Sequence, residues 1–134
     1  MFRKAKLKIA SIFLVWIFVC LVFGAVAEEW AVKESLNVTV GDSETEIMES
    51  TLTDKKFNRK FDIYNGENEI IATAWGSNDQ VTWEAMCTIT LSPYENNWLI
   101  LGHNHWWYVK LTGRTTNPPN TICIVDAYLY YRVP

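Results

Sequence analysis

The 134-residue chain has little of what most catalytic or metal sites are built from: two histidines, three cysteines and six glycines. His103 and His105 stand one residue apart in Leu101-Gly102-His103-Asn104-His105-Trp106-Trp107. In an extended chain they share a face about 7 Å apart. A zinc site needs three or four ligands, and no third histidine is available. The pair is therefore a weak metal candidate that Asp79, Asp126 or a glutamate would have to complete. No phosphate-binding glycine loop, G-x-S-x-G, H-E-x-x-H or haem-attachment motif is present. No carboxylate pair stands beside a nucleophile. The sequence thus points away from an enzyme and implies no cofactor. Internal repeats and low-complexity linkers are absent, and no stretch after Trp30 keeps a 3.6-residue apolar period, which argues against helices.

Only one long apolar run occurs, and it lies at the N-terminus. Arg3, Lys4, Lys6 and Lys8 precede Ile9–Phe23, and Gly24-Ala25-Val26-Ala27 ends in an A-x-A pattern before Glu28. This is the layout of a secretory signal peptide over residues 1–27. An uncleaved anchor is the alternative, because 9–27 approaches the ~20 residues of a spanning helix, and it would be the chain's one link to a membrane. Residues 28–134 then form a single exported domain, secreted or at the cell surface. Basic charge is scarce there: eight basic against fifteen acidic residues leave a formal charge of −7. Such a surface repels phosphate backbones, so nucleic acid is not an expected partner. Cys87 and Cys123 remain in this part. In an oxidising compartment they read as one disulfide, with two buried thiols as the alternative. Asn37-Val38-Thr39 is a glycosylation sequon if the host modifies exported chains.

What is abundant is alternation. Leu36, Val38 and Val40 share one face of a first strand. Asp42–Lys56 is either a long connection or a charged edge strand. Phe61–Tyr64 leads into Asn65-Gly66, a tight-hairpin signal, and Glu69–Trp75 returns. In Val81–Leu91 the residues Trp83, Ala85, Cys87, Ile89 and Leu91 form the core face. Trp98–Leu101 is short and apolar, and Trp106–Thr112 is a strand. Gly113–Asn120 is a proline-containing loop. Ile122–Val133 closes the fold with Cys123, Val125, Ala127, Leu129 and Tyr131 inward. Seven or eight short strands without helix predict an all-β antiparallel sandwich.

The stretch Gly76-Ser77-Asn78-Asp79-Gln80-Val81-Thr82-Trp83 resembles the G-S-N-D-x-x-T-W turn of discoidin-like, galactose-binding-like β-sandwich modules of surface and phage-associated proteins. Tyr108-Val109-Lys110-Leu111 is similar to their downstream strand, so the likeness covers about residues 61–134. Gln80 stands where glycine is usual. The resemblance implies a jelly-roll or discoidin-like sandwich, and it carries over no ligand residues.

Residues 28–134 are rich in rings, with six Trp, six Tyr and two Phe. If Trp107, Val109 and Leu111 face inward, Trp106 and Tyr108 face out, and Tyr128 and Tyr130 do the same on the last strand. These four are the candidate ligand-binding residues, since flat rings bury much area at low entropic cost. The expected function is non-catalytic binding or adhesion to a glycan or surface-protein ligand. The alternative is a structural subunit of an extracellular assembly that self-associates by strand pairing, for example through the first strand.

Overall fold

The computed structural model describes residues 30–117 and 119–134; the leader reading of residues 1–27 falls outside them. Eight antiparallel strands run in chain order: β1 (Trp30–Val40), β2 (Thr45–Leu52), β3 (Lys60–Tyr64), β4 (Ile70–Ser77), β5 (Glu84–Leu91), β6 (Asn96–Ile100), β7 (Tyr108–Thr115) and β8 (Cys123–Arg132). They form two four-stranded sheets, ordered β1-β8-β3-β6 and β2-β7-β4-β5. This is the strand order of a jelly roll, one form of the antiparallel sandwich that the alternation predicts. Phe61, Ile63, Leu99, Val125, Ala127 and Leu129 of the first sheet meet Met48, Ile70, Ala72, Ala74, Val109 and Leu111 of the second, all fully or nearly buried. Each large side chain among them contributes roughly 1.5–3 kcal/mol of burial. The inward set of β8 and the inward Val109 and Leu111 agree with the sequence reading.

The differences have identifiable local causes. Asn65-Gly66 is not a hairpin, because β3 and β4 belong to different sheets. It is a corner between layers. The Asn65 amide donates to the carbonyls of Asn68, Leu91 and Ser92, and a β-carbon on Gly66 would overlap the Ile124 carbonyl. Asp42–Lys56 contains an edge strand, β2. Leu36 is exposed rather than inward, because a bulge between Ser35 and Val38 turns the strand, with Asn37 at φ 55°. A second bulge makes Trp75 pair with Ala85 after Ala74 pairs with Cys87. Met86 therefore packs on the core, while Ala85 is exposed and Trp83 lies half-buried under the Lys110 ammonium, 4.3 Å from its ring. Trp83 is not a core plug. Strand β7 also extends to Thr115, into the first three residues of the Gly113–Asn120 segment read as loop.

The expected disulfide is absent, and both thiols are free. Cys123 lies on β8 at the Asn65 corner, where its Sγ donates to Asn65 Oδ1 at 3.2 Å. Leu91 reaches the same corner, since its carbonyl accepts from Asn65 at 3.2 Å. Cys87 sits four residues earlier on that strand, about 13 Å away along it. Two inward-facing cysteines in opposite sheets can share a core without being within bonding reach.

The Ser77–Thr82 turn is held by one carboxylate. Asp79 Oδ1 accepts from the Val81 and Thr82 amides at 2.9 and 2.8 Å and from Ser77 Oγ at 3.0 Å. Ser77 Oγ in turn accepts from the Asp79 and Gln80 amides at 3.2 and 2.9 Å. Gln80 adopts φ 61°, the left-handed backbone glycine adopts without strain.

At one end of the sandwich the buried Arg59 guanidinium ties two loops together. It donates to Thr53 Oγ1 (2.9 Å), the Trp106 carbonyl (2.6 Å), Asn104 Oδ1 (2.5 Å) and the Gly102 carbonyl (3.4 Å). Burial pulls its pKa from 12.5 down to about 10, with the charge of Asp54 opposing.

The backbone bonds hold the Asp79 pKa at about 2, below the ordinary 3.8. A depressed folded-state value means that its stabilisation is full above the ordinary value and fades as pH falls through about 2. An NMR titration should place the carboxyl midpoint there, and Asp79→Asn should flatten the acid limb of the stability profile. A midpoint near 3.8 would contradict the turn geometry. Arg59→Met should cost about 3 kcal/mol in urea unfolding, because it strands several buried acceptors. Arg59→Lys should recover little of the loss, since an ammonium lacks the planar fork.

Candidate functional site

Alternation along the first sheet sets its outward face row by row. Val32, Tyr130, Lys60 and Ile100 stand side by side across β1, β8, β3 and β6, and the next row is Glu34, Tyr128, Asp62 and Trp98. Asp126, Tyr64 and Asn96 continue it. At the other end, Trp30 packs edge-on against Phe57 at 6.5 Å, and the Arg132 guanidinium lies 3.8 Å from the Phe57 ring centre.

The rings contact one another. Tyr64 and Tyr128 meet edge to face at 5.8 Å, and Trp98 and Tyr130 are 6.0 Å apart. The Lys60 ammonium lies 3.9 Å above Trp98 and 5.3 Å from Tyr130. Each such cation–π contact stabilises by roughly 0.5–1 kcal/mol at an exposed site, and this one occupies ring surface that a sugar would otherwise stack on. Beneath the rings sits Asp62, 3% exposed although its strand position is outward. It accepts from Asn96 Nδ2 at 2.6 Å. The negative charge of Asp62 raises the Tyr64 pKa, with burial and their mutual hydrogen bond adding to the shift, so the phenol remains a neutral donor. A carboxylate under rings is costly unless its oxygens find such donors.

Beside this patch an open groove of about 510 Å³ is lined by Trp30, Asn58, Arg59, Lys60, Ile100 and Tyr130. The opposite sheet presents a different surface. Trp75 Nε1 donates to Thr112 Oγ1 at 2.7 Å, Thr73 and Thr88 hydroxyls bond at 3.2 Å, and Lys110 covers Trp83.

The four ring residues singled out from sequence are divided by this geometry. Tyr128 and Tyr130 belong to the aromatic face, whereas Tyr108 opens β7 on the other sheet, beside Leu52 and Ser77. Trp106 precedes β7 and turns inward: a β-carbon on Gly76 would overlap its indole, with Met86 Sδ next to it. Alternation places Trp106 outward and Trp107 inward only if the strand begins at Trp106; β7 begins two residues later, at Tyr108. Trp107 instead lies beneath Lys55, 5.1 Å from its ammonium. His103 and His105 are exposed on this loop, and the His105 ring packs on Trp106 at 5.7 Å. Among the described residues no group of three or more His, Cys, Asp or Glu side chains is placed to hold a metal ion.

Trp30, Lys60, Tyr64, Trp98 and Ile100 were not singled out from the sequence. Their signal is period-2 spacing: Lys60 and Tyr64 flank the inward Phe61 and Ile63, and Trp98 and Ile100 alternate with the inward Leu99 and Leu101.

No family model and no curated protein matches the chain. Among solved structures the fold is similar to PirA, with 15% identity and a TM-score of 0.54 over 75% of this chain and 93% of PirA. It is also similar to the PBSX exported protein XepA, with 10% identity and a TM-score of 0.58 over 78% of this chain; the match spans 37% of XepA. A protein of Bacillus endospore appendages, described as disulfide-linked pili, aligns with 9% identity and a TM-score of 0.48 over 81% of this chain and 92% of its own. At these identities the likeness to PirA and XepA shows a shared β-sandwich fold.

Proposed function

We propose that the protein is an exported, non-catalytic jelly-roll subunit that works by associating with further copies of itself through the β1-β8-β3-β6 sheet. One observation carries this reading. Of the twelve large apolar side chains exposed among the described residues, seven lie on strands of that sheet: Trp30, Val32, Leu36, Tyr64, Trp98, Ile100 and Ile124. Apolar surface gathered on one side marks an interaction site. The Lys60 ammonium over Trp98 and Tyr130 favours a protein contact over sugar stacking. The leader-like N-terminus and the acidic surface fit an exported protein that avoids nucleic acid. Donation of the first strand to a neighbour is disfavoured, because β1 already pairs with β8 along most of its length.

A second reading, capture of a glycan or surface-protein ligand, is supported by the groove beside Trp30 and Tyr130 and by the likeness to discoidin-like modules. A monomer that retains a ligand on a glycan array and loses it on Trp30→Ala would favour this reading.

Sedimentation velocity on residues 28–134 tests the proposal. The expected result is a concentration-dependent dimer or larger species. Trp98→Glu places a carboxylate among the rings at the β6 side of the face, within reach of Lys60, and should weaken association at least tenfold, about 1.4 kcal/mol, without unfolding. A wild-type protein that stays monomeric at every concentration would refute self-association.

A further inference from the structure

We propose that two copies join through the free edge of β6, strand to antiparallel strand, about a two-fold axis at Trp98. This rests on the self-association reading and goes beyond it by naming the strand and the register.

The sandwich has four edges: β1, β6, β2 and β5. Open edges invite pairing, and bulges, charges and prolines discourage it. Three of the four carry such features. Strand β1 is bulged between Ser35 and Val38, and its Lys33 reaches across to Glu49 and Thr51 of β2 at 3.1 and 2.9 Å. Strand β2 has two irregularities and carries Glu46 and Glu49. Strand β5 is bulged opposite Ala74 and Trp75 and begins at Glu84. Strand β6, Asn-Asn-Trp-Leu-Ile, has no charge, no proline and five consecutive in-register pairs with β3.

The ladder fixes which groups face outward along that edge. The Asn65 amide donates to the Glu95 carbonyl at 2.9 Å, and the Leu101 amide donates to the Arg59 carbonyl at 2.8 Å. Odd-numbered residues therefore bond to β3, and the alternation of an antiparallel strand turns the N–H and C=O of Asn96, Trp98 and Ile100 to the free side. Of these amides, the Trp98 N–H is covered by a side chain, Asn97 Oδ1 at 2.8 Å, a local bond that a partner's carbonyl can replace.

The two-fold arrangement uses all three residues. Trp98 stands opposite Trp98 of the second copy, and Asn96 stands opposite Ile100, which allows about six main-chain hydrogen bonds. Charge favours the same orientation. A domain of charge −7 repels its own copies, but β6 is neutral. Antiparallel pairing also brings Glu95, at the start of one β6, toward the end of the other, where Lys60 pairs with Ile100. The main-chain separation is about two strand spacings, ~10 Å, comparable to the Debye length at 0.1 M salt; alternation sets the two side chains on opposite faces of the sheet, which keeps the attraction small. The attraction occurs twice by symmetry, and the joined sheets extend the aromatic face across both copies.

Two pairs of variants of residues 28–134 test this. Ile100 is 71% exposed and its N–H points off the ladder, so Ile100→Pro removes an edge donor without taking a bond from β3. It should keep the wild-type circular dichroism and weaken association at least tenfold, whereas Ile100→Thr should change it less than twofold. Independently of proline tolerance, Trp98→Cys in a Cys87→Ala background should form a covalent dimer under an added oxidant, because a hydrogen-bonded antiparallel pair brings α-carbons to about 5.5 Å. Ile100→Cys in the same background should not, its counterpart lying four residues off register. Equal cross-linking at both positions, or none at either, overturns the register. Wild-type oligomers that survive Ile100→Pro but dissociate with Trp98→Glu overturn β6 pairing and leave association through the face. A monomeric wild type removes both proposals.

Discussion

The buried guanidinium of Arg59 is the interaction on which one whole end of the molecule depends. Its nitrogens join Thr53, after β2, to Gly102, Asn104 and Trp106 of the loop between β6 and β7. Those segments leave opposite sheets, so the guanidinium works as a clasp between layers, beside the main-chain bonds from Thr53 to Trp107 and from Asn104 to Lys55. Its own carbonyl takes the Leu101 amide, which terminates the β3–β6 ladder. The side chain also lines the groove beside Trp30 and Tyr130. A single cation thereby sets the end of β6, the path of the loop and the shape of the neighbouring surface. Burying it is costly, as its lowered pKa indicates, and the cost is offset by carbonyl and amide oxygens that would otherwise lack donors.

Given that clasp, the two outer faces diverge in character. The β2-β7-β4-β5 face is finished by the Thr73–Thr88 hydroxyl pair, by the Trp75 indole donating to Thr112, and by Lys110 laid over Trp83. The β1-β8-β3-β6 face carries packed rings over a hydrogen-bonded Asp62 and leaves Val32, Ile100 and much of Trp30 in solvent. Preorganised rings lose little entropy on contact. Together with an edge that lacks the bulges and charges of the other three, that is the physical basis for reading the molecule as an assembling subunit.

The β-sandwich was legible because Val125, Ala127 and Leu129 alternate cleanly with polar or aromatic neighbours. The layers joined by each turn were not. Asn65-Gly66 has hairpin chemistry, but Asn65 spends its amide on carbonyls at Asn68, Leu91 and Ser92, and the chain crosses between sheets there. Bulges at Ser35–Val38 and opposite Trp75 shift the period by one residue, which is why alternation places Leu36 and Trp83 inward; the disulfide looks feasible because Cys87 and Cys123 both face the core, and their separation along the strands is not visible in sequence. The conspicuous His103–Trp107 stretch misled for a related reason. Its conformation is dictated by Arg59, more than forty residues earlier, and by the space over Gly76. Neither is visible in local spacing. Lys60, Tyr64, Trp98 and Ile100 follow simple alternation, but each is ordinary alone and becomes a site only when β3 and β6 are known to be neighbours.

Amide hydrogen exchange of residues 28–134, measured residue by residue across a wide range of protein concentration, distinguishes a paired β6 edge from a free one. The account predicts that the Trp98 and Ile100 amides, turned off the β3 ladder, exchange quickly in dilute solution and become protected as concentration rises. The Leu99 amide, bonded within the ladder, serves as the internal reference and should be protected throughout. Trp98 and Ile100 amides that exchange equally fast at every concentration, while the protein is otherwise folded, would contradict it.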